Sequence, residues 1–66
     1  MDRKAIGARL RKCRGSRSIE TIAEAIGVSP SAISMYENGV RVPKDDIKIK
    51  LASYYKKSIQ WLFYAD

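Results

Sequence analysis

The run Gly27-Val28-Ser29-Pro30 does most to narrow what this chain can become. Glycine stops a helix by accepting a left-handed backbone. Serine followed by proline starts one, because the hydroxyl caps free N–H groups and the next residue has no N–H to satisfy. Here the stop and the start lie side by side. Ile22, Ala23 and Ile26 before the stop, and Ile33 and Tyr36 after the start, fall at helical spacing, so each flanking segment buries one stripe. Two short amphipathic helices therefore meet across a link too tight to let their mutual angle vary.

The remaining chain carries the same punctuation. Ser18 is a candidate N-cap for the helix that stops at Gly27, and Asn38-Gly39 closes the next one at about Glu37. Upstream, Ile6, Leu10 and Cys13 form the stripe of a helix from about Asp2 to Cys13, with Asp2 at its positive end and Gly15-Ser16 breaking it. Downstream, Val40 to Pro43 reads as an extended connector, and Asp45 and Asp46 suit the first turn of a fourth helix. That helix turns Ile47, Leu51, Ala52 and Tyr55 inward and ends at Lys56-Lys57. Ser58 can cap a short fifth helix, residues 59–64. The expectation is an all-α fold: five short helices around one core, in a single domain covering residues 1–66.

Composition restricts what such a domain can do. A chain of 66 residues buries only roughly 60% of its unfolded surface and has little stability to spare for a strained polar active site. Cys13 is the lone cysteine and there is no histidine, so an intramolecular disulfide, the usual zinc ligand sets and a histidine base are all excluded. The longest apolar run, Trp61 to Ala65, falls far short of a bilayer span. These observations point to a soluble, cytoplasmic protein with no catalytic residue, cofactor, metal, membrane or small-molecule ligand. The net charge is +6, and residues 1–17 hold Arg3, Lys4, Arg9, Arg11, Lys12, Arg14 and Arg17 against Asp2 alone. Such an asymmetry creates a positive field suited to a polyanion.

The third helix has an unusual outer face for a basic protein. Pro30, Ser31, Ser34 and Met35 point away from its apolar stripe and are small or slender and uncharged. A face meant for solvent would carry Lys and Glu, whereas bulky charge would obstruct a major groove. Hydroxyls can meet donors or acceptors on base edges, and a methionine can meet a thymine methyl. A rigidly linked helix pair has the geometry to place its second member in the groove while the first spans the backbone.

The run Ile22-Ala23-Glu24-Ala25-Ile26-Gly27-Val28-Ser29, followed by Ala32-Ile33-Ser34-Met35-Tyr36-Glu37-Asn38-Gly39, resembles the lambda-repressor-like, Cro-type (XRE) helix-turn-helix family of transcriptional regulators. The stretch from Pro43 through Ala52 to Ser58-Ile59 and Leu62-Phe63 is similar to that family's fourth and fifth helices. The resemblance implies a helix-turn-helix at about residues 19–37 and a homodimer on a palindromic double-stranded DNA operator, most often as a repressor. By position it implies base contacts at Pro30, Ser31 and Met35, with Ala32 and Ser34 nearby. Phosphate contacts are implied at Ser18, Ser29, Asn38 and Arg41, and an ion pair between Glu37 and a helix-one cation, Arg14 ahead of Lys12. The chain departs from the family at Ile19, where a phosphate-gripping glutamine is usual, and backbone anchoring then falls to Arg17, Ser18 or Thr21. It departs again in a shortened turn after helix one, and at Pro30, which offers only shape or apolar contact.

Several residues have a plainer reading. Tyr36 and Cys13 suit the core, and Arg3 and Lys4 suit either an arm along DNA or a solvated end. A short fifth helix can bury only one or two of Trp61, Phe63 and Tyr64, so the remainder, with Ile49 and Tyr54, is expected to form an apolar dimer interface. The rival function is a protein-interaction module on the same fold, such as the antitoxin of a toxin-antitoxin pair.

Overall fold

Asp2 opens the first helix as its charge suggests: one carboxylate oxygen accepts the N–H groups of Lys4 and Ala5 at 3.0 and 3.2 Å. The computed structural model describes residues 2–65, and α1 runs Arg3–Arg14, one residue beyond the expected end. Gly15 then donates to Arg11 O. Helix α2, Ile19–Ile26, starts under Ser18, whose Oγ accepts the Thr21 N–H at 3.1 Å. It stops at Gly27, φ 87°, in the left-handed backbone expected there. Helix α3, Pro30–Glu37, starts under Ser29, whose Oγ accepts the Ala32 N–H at 3.1 Å, with Pro30 in its first turn.

Helix α4, Asp45–Tyr55, has both aspartates in its first turn and no side-chain cap at Lys44. It ends at Lys56, which takes a left-handed backbone (φ 57°) that a side chain adopts only at some cost. The fifth element, α5, is a single π-helical turn, Gln60–Tyr64, steadied by Ser58 Oγ accepting the Trp61 N–H at 3.0 Å.

The core draws on all five elements. Ile6 and Leu10 of α1, Ile22, Ala23 and Ile26 of α2, Ile33 and Tyr36 of α3, Leu51, Ala52 and Tyr55 of α4, and Leu62 and Phe63 of α5 are all buried. One contact was hidden in the sequence. Gly7 lies where α1 crosses the end of α3, so close that a Cβ there would stand 2.8 Å from Tyr36 O and nearer still to Glu37 O. A glycine inside a helix costs about 1 kcal/mol relative to alanine. Here it lets α1 touch backbone and so fixes the height of α3.

Two expectations about the core need correction. Ile47 is only half-buried, and Lys48 takes the enclosed position beside it at 7% exposure. The lysine is tolerated because its stem is covered while Nζ donates to Tyr64 Oη at 3.0 Å and lies 3.7 Å from Asp45. Phe63, expected at a dimer surface, is 1% exposed and packs inside the monomer.

Candidate nucleic-acid interface

The amino ends of α2 and α3 open onto a shared cleft of about 510 Å³, lined by Arg14, Ser18, Ile19, Glu20, Pro30, Ser31 and Ser34. With Thr21 N–H taken by Ser18, Ala32 N–H taken by Ser29 and Pro30 lacking one, the N–H groups of Ile19 and Glu20 in α2 and of Ser31 in α3 are left to meet an anion at the cleft edge. Ser18 and Thr21 share a hydroxyl hydrogen bond of 2.8 Å at that edge. Both are exposed, as are Ser29, Pro30 and Ser31, while Ser34 and Met35 are half-buried along α3.

Ala32 does not belong to this face. It is 8% exposed and part of the core, because the stripe through Ile33 and Tyr36 is wide enough to include it. Arg17 is also held elsewhere. Its guanidinium donates to Arg14 O at 3.1 Å and to Cys13 O at 2.7 Å, and lies 5.3 Å from the Tyr54 ring centroid and 5.5 Å from that of Tyr55. Its partners are the carboxyl end of α1 and two rings at the end of α4, so the structure gives it a packing role and leaves it outside the cleft lining.

The far end of α3 is built from backbone. Val40 and Arg41 both donate to Met35 O, at 3.0 and 3.3 Å, which folds the 38–41 loop back against the helix. Asn38 Nδ2 donates to Ser34 Oγ at 3.2 Å, and Asn38 and Arg41 are exposed beside it. Gly39 (φ 72°) lies against the first turn of α1, where a Cβ would come within 3.1 Å of Lys4. Arg3 donates to Val40 O at 3.5 Å. Arg3 and Lys4 therefore belong to a folded helix beside this loop and do not form a free arm.

The expected ion pair is present and tight. Arg14 Nε donates to Glu37 Oε2 at 2.8 Å and Nη2 to Oε1 at 3.0 Å, a bidentate pair, while Nη1 donates to Arg17 O. The Glu37 side chain is only 5% exposed. The hydrogen bond to Glu37 holds the Arg14 guanidinium above its ordinary pKa, against a smaller opposing effect of burial. This pair, with the contact at Gly7, pins the end of α3 to α1. Burial first, then the Glu37 charge, pushes the Tyr55 phenol up to about 12.

Sequence reasoning passed over Glu20. It lines the cleft and brings a negative charge to it, and the charge pattern of residues 18–21 is the available signal. The other expected surface divides in two. Ile49 joins a recess lined by Asp45, Lys48, Ile59 and Tyr64 to another lined by Ala25, Ile26, Lys50, Ser53 and Tyr54. Trp61 lines a separate recess with Lys12, Cys13 and Lys57.

Two short helices in a tight turn, the second with an exposed uncharged face, define a helix-turn-helix protein. A helix-turn-helix family profile matches residues 8–62, and the chain belongs to that family, the lambda-repressor-like DNA-binding transcriptional regulators. No curated protein and no solved structure matches the chain significantly. No helix among the described residues is long and apolar enough to cross a membrane.

Proposed function

We propose that the chain binds a palindromic double-stranded DNA operator as a homodimer and represses transcription by occupancy, acting in the cytoplasm without catalysis or cofactor. The carrying observation is the uncharged outer face of α3, exposed at Pro30 and Ser31 and half-buried at Ser34 and Met35, beside the two serine-capped helix ends. In this reading Ser31 and Met35 touch base edges, Ser34 assists, and Pro30 contributes shape. Ser18, Thr21, Ser29, Asn38 and Arg41 hold phosphates on either side. Exposed Ile49, shared by the recess that reaches Tyr54 and the one that reaches Ile59 and Tyr64, supports a twofold contact. Such a contact would set two copies of α3 in successive major grooves about 34 Å apart.

Selection of bound sites from random duplexes tests the base-reading assignment. Ser31→Ala and Met35→Ala are expected to change preference at particular positions, whereas Arg41→Ala weakens all duplexes alike. An unchanged site profile for both α3 variants would overturn it. Sedimentation at micromolar concentration tests the dimer, and a monomer with and without operator would remove it.

A further inference from the structure

Trp61 is 41% exposed and lines a recess of about 360 Å³ together with Lys12, Cys13 and Lys57. Lys57 Nζ stands 5.3 Å from the indole centroid, and the Ser58 cap holds the Trp61 backbone. No acidic side chain lines the recess, and neither lysine has a carboxylate partner among the described residues. Burial raises the Cys13 thiol above its ordinary pKa, against the pull of Lys57, Arg17 and Lys12, so its surface there is neutral. Lys12 lies in the last turn of α1 and Lys57 just beyond α4, where cations offset the partial charge of helix carboxyl ends. Helix ends thus account for the lysines. They do not account for a large aromatic left uncovered between them.

How little the recess encloses selects the class of occupant. A free small molecule is held tightly when roughly 70–90% of its surface is buried, which four side chains around an open recess cannot provide. A side chain carried on a peptide needs less cover, because its neighbours add contacts of their own. We propose that the Trp61 recess docks an acidic peptide segment of a partner protein, seating one apolar side chain against the indole while flanking carboxylates meet Lys12 and Lys57. None of the four lining residues belongs to the α2–α3 cleft. Partner and duplex therefore occupy different surfaces, and this inference does not depend on DNA recognition.

Trp61 is the only tryptophan, so its fluorescence reports the recess directly. The full chain is titrated with a blocked Glu-Glu-Leu-Glu-Glu peptide and, separately, with Gln-Gln-Leu-Gln-Gln. The acidic peptide is expected to give a saturable blue shift, with the neutral one binding roughly five-fold more weakly, as two exposed ion pairs allow. Combining Lys12→Ser with Lys57→Ser should bring the acidic peptide down to the neutral peptide's affinity. No change in emission, or equal affinity for the two peptides, would overturn the proposal. Trp61→Ala should leave sedimentation unchanged; reduced self-association would assign the recess to a second copy of the chain and overturn it too.

Discussion

Replacing Gly7 with alanine sets two effects against each other, and the structure says which one wins. By helix propensity alone, Gly7→Ala should stabilise α1 by about 1 kcal/mol. The new methyl, however, would stand 2.8 Å from Tyr36 O and from the Glu37 carbonyl carbon, and closer still to Glu37 O. Ordinary contacts between such atoms lie at about 3.5 Å or more, so the overlap is about 0.7 Å or worse. Every atom it meets is backbone, and no side chain can swing aside. The two helices must part, which strains the Arg14–Glu37 pair and loosens Tyr36. Overpacking of this kind costs about 1–3 kcal/mol, and the upper end applies where only backbone can yield. The net loss is then about 2 kcal/mol. For a domain of this size that lowers the melting temperature by about 8–16 °C. Urea unfolding followed by far-ultraviolet circular dichroism measures it, with Ala8→Gly on the exposed neighbouring position as the propensity control. A Gly7→Ala protein as stable as the parent, or more so, would refute the claim that close backbone contact sets the position of α3.

Three other outcomes follow from the same geometry. Arg14→Ala leaves a nearly buried carboxylate without its partner, so it should cost about 3 kcal/mol; adding Glu37→Leu should recover part of that in the same unfolding assay. The Tyr55 pKa is raised from 10.0 to about 12, so its contribution to stability is full below pH 10.0 and is lost as pH rises through about 12. Comparing Tyr55→Phe with the parent across that window isolates the loss, at most about 3 kcal/mol for a shift of this size. Glu20→Gln removes a negative charge from the cleft that the phosphates are proposed to approach. It should tighten binding to any duplex several-fold at low salt and by less at high salt, as a salt series of binding isotherms would show.

Local signals carried most of the architecture. Ser18 and Ser29 each cap a helix as their positions suggest, Asp2, expected only to favour the positive end of α1, caps that helix, and Gly27 and Gly39 take the left-handed backbone expected of them. Arg14 and Glu37, separated by 23 residues, meet as the family resemblance implied. What the sequence concealed depends on distances between elements. Gly7 gives no sign from its neighbours that another backbone passes over it, beyond the cost of a glycine inside a helix. The sorting of Trp61, Phe63 and Tyr64 depends on how α5, a single π-helical turn, seats on the other helices, with Phe63 inward and the other two rings exposed. The charge of Arg17 points to phosphate, and its draw toward Tyr54 and Tyr55 exists only once α4 is in place. Lys48 is enclosed because a tyrosine 16 residues further on supplies its hydrogen bond.

Backbone amide shifts recorded while a selected operator duplex is added test the α3 assignment most directly. The account requires the largest changes at residues 18–21, 29–35 and 38–41, with Ile49 and Tyr64 responding little beyond any effect of pairing. Shifts concentrated on the Ile49 or Trp61 surfaces, with α3 silent, would contradict it.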